Sequence, residues 1–231
     1  IVVAGMRADF NSWGGEAVSP RLHVKYDLGV LTTLRVSVGH GFRSANPLVE
    51  NASALASSRT VVVEGPLGME RSWNLGVSLL HKWKWFGRKW ALAIDAYRSE
   101  FTDQVVADLD RSPRTLAIYM LNGSSYANSV LADVQVELSR TLQGKVSYRW
   151  YDVRTTYNGV LRERPFTPMH RGLADLAYES RNDHWRIDAF SNLYGTSRVP
   201  GTKQNPEPYR VRSRSPAYAT LNAQVTCVLG R

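Results

Sequence analysis

Cysteine is almost absent from this chain. Cys227 stands alone among 231 residues, which excludes an internal disulfide framework and a cysteine-based metal site. It falls on the apolar side of an alternating stretch and reads as an inert small hydrophobe. Long apolar runs are missing too. No stretch approaches the ~18 residues of a membrane-spanning helix, but this excludes only helices, because the strands of a membrane barrel average out to a hydrophilic sequence. The opening residues, IVVAGMRADF, lack a basic segment followed by an apolar one and do not read as a signal peptide. They read as a strand already under way, so the chain is expected to begin inside a larger protein.

Catalytic signatures are also lacking: there is no H-E-x-x-H, no P-loop and no G-x-S-x-G. The five His residues are dispersed without metal-ligand spacing. No enzymatic activity, cofactor or metal site is expected. The net charge of +9 invites a nucleic-acid partner, yet Lys and Arg are scattered and form no dense basic block, which argues against one.

Alternation is what the chain has in abundance. Ala217, Ala219, Leu221, Ala223, Val225 and Cys227 are small or apolar, and Tyr218, Thr220, Asn222, Gln224 and Thr226 between them are polar. That is a strand with one apolar and one polar face, longer than most strands of soluble domains. The same pattern recurs in SPRLHVKYDL, LRVSVGHGF, Trp73 to Trp83, WALAIDAYRSEF, Val130 to Leu138, KVSYRWYDV, Arg171 to Tyr178 and WRIDAFSNLY. Trp90, Leu92, Ile94 and Ala96 share one face, with Asp95 and Tyr97 on the other. The reading extends that strand to about Asp108, and marks Asn122 and Gly123 as a bulge or kink in a strand from Leu116 to Leu138.

Connections follow a rule. Short ones near residues 29, 86, 142 and 182 alternate with longer ones near 13, 57, 111, 161 and 205. Turns at one end of a meander and long loops at the other are the pattern of a transmembrane β-barrel. Seven Trp and eleven Tyr are a heavy aromatic load, and Tyr26, Trp83, Trp85, Trp90, Tyr178 and Trp185 crowd the turn end as an interface girdle would. The expected fold class is therefore all-β, an antiparallel meander of about ten strands. Two rivals remain open at this point: a passive porin-like channel, and a soluble β-sandwich that binds carbohydrate or acts as an adhesin. The sandwich requires Leu34, Leu92, Val134 and Leu221 to point into a closed core.

Several pieces in this order resemble the TonB-dependent outer-membrane receptors: SPRLHVKYDL, LRVSVGHGFRSANPL, LGMERSWNLGVSL, IDAYRSEFTDQVV and SPAYATLNAQVT. The chain departs from that family at Met69-Glu70, where Pro-Glu is usual, and at Asn74, where an acidic residue is frequent. The resemblance implies that residues 1–231 are part of a barrel of twenty-two strands plugged by a separate domain. It places the chain in the C-terminal half, without the plug, the early strands or the last pair of strands. It further implies active uptake of a scarce nutrient such as an iron-siderophore, haem, corrinoid or glycan, energised through TonB. Implied partners are outer-membrane lipid, lipopolysaccharide, the receptor's own plug and a small-molecule ligand, in the outer membrane of a Gram-negative bacterium.

On that frame Asp95, Asp133, Glu137, Asp175 and Asp188 join Arg35, Arg149, Arg171 and Arg186 on a hydrated lumen wall, and His23 and His170 read as polar lumen residues. Candidate ligand contacts at the mouth, by position, are Arg43, Asn46, Tyr119, Tyr126, Arg154, Tyr157, Tyr194 and Arg198. Arg and Tyr suit anionic or catecholate-type ligands through hydrogen bonds and stacking. Most of the eight are expected to be solvated loop residues.

Overall fold

The computed structural model describes residues 1–11 and 15–229. In chain order its strands are β1 (Val2–Asn11), β2 (Gly15–Asp27), β3 (Thr32–Ser44), β4 (Thr60–Glu64), β5 (Met69–Trp85), β6 (Arg88–Asp103) and β7 (Val105–Ser112). Then follow β8 (Thr115–Met120), β9 (Ser125–Glu137), β10 (Leu142–Tyr157), β11 (Val160–Glu163), β12 (His170–Glu179), β13 (Trp185–Tyr194) and β14 (Tyr218–Cys227). Two one-turn helices, Pro47–Glu50 and Ala52–Leu55, sit between β3 and β4.

Ten strands form one antiparallel meander in the order β1-β2-β3-β5-β6-β9-β10-β12-β13-β14, with β11 added to β10. The wall is not closed: within the described residues β1 pairs only with β2 and β14 only with β13. Directly opposed residues of neighbouring strands share a face, so the register carries each strand's alternation across the whole wall. One such row runs Tyr26, Leu34, Leu79, Ile94, Ala132, Tyr148, Gly172, Leu193, Ala219. The adjacent row runs Lys25, Arg35, Ser78, Asp95, Leu131, Arg149, Arg171, Tyr194, Tyr218. The first face is apolar and the second polar, over nine strands.

Among the described residues nothing packs against the apolar face. Leu34, Leu92 and Val134 are only half-buried, and Leu221 is 81% exposed. A closed sandwich core, which these four residues would have to fill, is not formed among the described residues. Broad clefts lie instead on the polar face: one holds Lys82, Lys89, Glu137, Lys145 and Asp175, another His23, Lys25, Arg35, Asp95 and Tyr97.

Short turns join β2 to β3, β5 to β6, β9 to β10 and β12 to β13, all at one end. Long connections join β3 to β5, β6 to β9, β10 to β12 and β13 to β14 at the other. The connection expected to be long near residue 13 breaks this rule. There β1 and β2 pair out to Asn11 and Gly15, leaving only residues 12–14, which lie outside the described residues.

The loop end carries a second sheet, of order β4-β8-β7, with β4 and β8 parallel. Leu116, Ala117 and Ile118 of its central strand are completely buried and Val106 of β7 nearly so. A central strand covered on both faces loses alternation and reads as a continuous apolar run. Each large apolar side chain buried here contributes about 1.5–3 kcal/mol. This small cap is where the buried hydrophobic residues concentrate.

The cap corrects two readings of the sequence. The strand expected to run from Trp90 to Asp108 divides near Gln104 into β6 of the wall and β7 of the cap. The presumed kink at Asn122 and Gly123 is the crossing back from β8 to β9. Gly123 has φ +133°, and a β-carbon there would lie 2.8 Å from Thr156 Cβ, so only glycine fits where the chain passes β10.

Candidate functional site

Between the cap and the loop end of the wall lies a cleft of about 540 Å³ lined by polar groups. Its walls come from the top of β3 and β5 (Arg43, Glu70), from β7 (Val105 to Ala107), from β10 (Thr155, Tyr157) and from the connections that carry Arg59, Arg164 and Phe166. Three arginines therefore face one space. Their availability differs.

Arg43 is held on both sides: its Nε donates to Glu70 Oε2 at 2.6 Å and a terminal nitrogen donates to Glu50 Oε2 at 2.9 Å. Glu70, nearly buried, also accepts from the backbone N–H of Val105 at 2.9 Å, which ties β5 to the first residue of the cap. Arg59 donates from one nitrogen to the carbonyl oxygens of Leu109, Ser112 and Thr115, at 3.0–3.2 Å. It caps the β7–β8 turn. Arg164 makes no ion pair among the described residues, so its charge remains available in the cleft.

Tyr157 is 5% exposed, and burial pushes its phenol pKa up. The Arg198 guanidinium lies 5.4 Å from its ring centre and forms a two-bond pair with Asp110 of the cap at 2.7 and 2.8 Å. Arg198 Nε also donates to the Glu163 carbonyl at 2.6 Å, and Arg214 donates to both carboxylate oxygens of Glu163 at 2.6 and 2.7 Å. Charge-assisted bonds of this kind are the stronger class. They lash the β13–β14 connection to the cap and to the β10–β11 hairpin.

The other positional candidates are dispersed. Asn46 caps the helix Pro47–Glu50, accepting from the Val49 N–H at 3.3 Å. Tyr119 donates to Asp108 Oδ2 at 2.9 Å and accepts from the Asn158 N–H at 3.3 Å; burial, with that bond to Asp108, pushes its pKa up to about 12. Tyr126 and Arg154 are direct partners in register and share the phase of the apolar face, so they stand on its rim. Arg98 lies over the Tyr126 ring at 4.9 Å, and Arg154 donates to Asp152 at 3.0 Å. Tyr194 is on the polar face, stacked on Tyr218 at 4.7 Å with Arg171 5.5 Å from its ring. Of the eight, Arg43 and Tyr157 line the cleft and Arg198 packs against Tyr157. Arg43, Asn46, Arg154 and Arg198 each bond a neighbouring protein group, Arg43 and Asn46 while remaining exposed.

Sequence reasoning missed Arg59, Glu70, Gln104 and Arg164. All four lie in, or at the edge of, segments without alternation, where no periodic signal marks a side chain's direction.

On the polar wall the expected pairing of charges is partly found. Lys89 meets Glu137 at 2.9 Å, Arg186 meets Glu179 at 2.8 Å, and Lys145 meets Asp133 at 3.7 Å. Asp95, Asp175 and Asp188 make no ion pair among the described residues. His23 lies on the polar face as expected, but His170 does not. It pairs with Trp150 in the phase of Gly172, Ala174 and Leu176, and its Nδ1 is 2.7 Å from the Tyr148 hydroxyl. The ring partner on the same face satisfies it there.

A family model described as "TonB dependent receptor-like, beta-barrel" matches residues 1–227. No curated protein sequence matches the chain. Among solved structures, the ferric enterobactin receptor PfeA of Pseudomonas aeruginosa (a Q482A mutant in complex with enterobactin) superposes with TM-score 0.70 at 15% identity, over 100% of this chain and 36% of that one. The siderophore receptor PirA of the same organism gives TM-score 0.60 at 15% identity, over 99% and 45%. The copper transporter OprC gives 0.67 at 13%, over 94% and 32%. The chain thus spans about a third of the length of the first receptors it matches.

Proposed function

We propose that this chain, which belongs to the TonB-dependent receptor β-barrel family, serves as the ligand-selective wall and mouth of an outer-membrane uptake receptor. Residues 1–231 contribute part of its barrel domain; the remaining strands and a plug complete it. The apolar face meets lipid and the polar face lines the lumen. On β5, Trp73 and Trp83 mark the two ends of the apolar band, ten residues apart. That separation is about 33 Å along the strand, or about 25 Å across a bilayer at a tilt near 40°, the height of a barrel's apolar belt.

The observation that carries the reading is the uncovered apolar face running across the wall beside a charged polar face. In water such a face has no stable place, whereas in a bilayer it is required. The transported ligand is a scarce, anionic or catecholate-type nutrient, most directly an iron-siderophore, admitted past the arginine-lined cleft. Support comes from that cleft and from the siderophore receptors among the structural neighbours. Release inward is energised through TonB acting on the plug.

A strain deleted for the full-length gene is grown with single iron, haem, corrinoid or glycan sources. Loss of growth on one source, restored by the intact gene, is the expected outcome. Normal growth on all of them would sink the uptake reading.

A further inference from the structure

A cleft of about 700 Å³ lies on the polar face at its turn end, remote from the arginine-lined one. It brings together Lys82 and Lys84 of β5, Lys89 of β6, Glu137 of β9, Lys145 of β10 and Asp175 of β12. Register fixes how the lysines stand. Lys84 and Lys89 are direct cross-strand partners, one on each side of the turn at Phe86 and Gly87. Like charges so placed destabilise the strand pair. Lys82 is two residues from Lys84 on the same strand and shares its face.

The carboxylates nearby do not cancel this charge. Glu137 holds Lys89 at 2.9 Å, and Asp133 meets Lys145 at 3.7 Å. Asp27, two strands from β5, is engaged by Lys25 at 3.0 Å and by the Thr33 hydroxyl at 2.8 Å. Asp175 stands on β12, four strand spacings or about 19 Å from β5, too far for an ion pair with its lysines. Lys82 and Lys84 are exposed and make no ion pair among the described residues.

Strand β5 joins the two cationic ends. Glu70 at the arginine-lined cleft and Lys82 are twelve residues apart on it, about 40 Å. Between them its polar phase carries Asn74, Gly76, Ser78 and Leu80, paired with Ser99, Tyr97, Asp95 and Ala93 of β6. None is a cation, so on these two strands an anion leaving the arginines next meets the lysines. Arginine's planar fork grips anionic oxygens bidentately, whereas an ammonium is a rotatable, strongly hydrated point charge. A path that ends in release needs sites that bind and also let go.

We propose that the lysine-lined cleft is a second, weaker binding station for the transported anion, reached after the arginine-lined cleft and before release at the turn end. This inference rests on the uptake reading above. The occupant is a small multivalent anion, which relieves the repulsion between Lys84 and Lys89 and pairs with Lys82. A neutral nutrient gains nothing there.

The test uses the full-length receptor in mild detergent, with Cys227→Ser and a trifluoromethyl label on Ala91→Cys, a cleft position directly opposite Lys82. The probes are the ferric tris-catecholate trianion and neutral ferric tris-acetylacetonate, whose paramagnetic iron broadens the fluorine resonance of the label on close approach. The trianion is expected to broaden it saturably and the neutral complex not to. K82Q/K84Q requires roughly tenfold more trianion, since each exposed ion pair contributes a few-fold. K82R/K84R binds at least as tightly as the parent. Heat-modifiable mobility on a gel checks the folding of each variant. Broadening that is absent, that the neutral complex matches, or that K82Q/K84Q leaves unchanged overturns the proposal; a cleft filled by the receptor's own plug gives the first of these results. Saturable broadening in a receptor whose deletion leaves growth normal on every nutrient source overturns the uptake reading alone. Loss of growth together with a flat titration overturns the station alone.

Discussion

Asp110 and Arg198 are joined by two hydrogen bonds although 88 residues separate them in the chain. Asp110 belongs to β7 of the cap and Arg198 to the connection between β13 and β14. Their side chains are 6% and 15% exposed, and the backbone N–H of Gly201 also donates to Asp110 at 3.0 Å. Through this pair two long connections that leave the wall at separate places become one body above the cleft.

Removing either partner leaves a largely buried charge alone, which costs about 3 kcal/mol. Arg198→Ala and Asp110→Ala in the full-length receptor are expected to loosen residues 195–217, raising hydrogen exchange there and exposing a new protease site. The meander strands keep their protection. Unchanged exchange in that connection would show the pair to be dispensable.

Among the cleft arginines the expected effects separate. Arg164→Ala weakens ligand uptake roughly tenfold or more without lowering thermal stability, because its guanidinium is free to meet an anion. Arg59→Ala lowers stability by about 1–3 kcal/mol, since three carbonyls lose a charged donor. Paired uptake and melting measurements distinguish the two, and an Arg164 variant that takes up ligand normally removes it from the binding surface.

Tyr119 titrates late. With its pKa raised from 10.0 to about 12, it donates to Asp108 as a neutral phenol. A group whose folded pKa is raised contributes stability that is fully present below its unfolded value and is lost as pH rises through the folded one. The cap is therefore expected to hold to about pH 10 and weaken between pH 10 and pH 12. Difference ultraviolet titration of wild type against Tyr119→Phe reads this directly, the late-ionising component vanishing in the variant.

Gly123 tolerates no side chain. Gly123→Ala combines a positive φ with a collision against Thr156 and is expected to cost more than about 2 kcal/mol, seen as a lower melting temperature. Thr156→Gly in the same background removes the collision together with the two hydrogen bonds that Thr156 makes with Ser124, so recovery relative to Thr156→Gly alone reads the steric component.

The two faces of the wall respond oppositely to charge. Val77→Arg places a cation in the middle of the apolar band and is expected to cost about 2–4 kcal/mol and reduce assembled receptor in the outer membrane. Ser78→Arg, one residue away on the polar face, is tolerated. Equal yields of the two variants would contradict the assignment of faces.

Strand alternation is a local property, so the wall was legible from residues alone. Val134 and Asp133 take opposite faces whatever their neighbours do, and tight turns such as Phe86-Gly87 set the register of the next strand. His170 shows how that reading slips. Its phase with Gly172 and Ala174 was on the page, but its polarity and its place at a strand start suggested the lumen, and only the hydrogen bond to Tyr148 explains how it is accommodated on the apolar side.

The cap was not legible. Val61 to Val63 read as a short apolar piece in a loop, and their pairing with Leu116 to Ile118 is parallel and spans 55 residues, beyond any periodic signal. The cleft inherits that dependence, since Arg43 at the end of β3, Tyr157 at the end of β10 and Arg164 in the connection from β10 to β12 face one space only once the cap has formed. Sequence by itself determined the ten-strand meander, its two faces and its family likeness, because a period of two acts within each strand. Tertiary structure alone decided which loops fold together, which arginines are paired with carboxylates and which make no ion pair among the described residues, because those outcomes depend on contacts between residues that no local pattern relates.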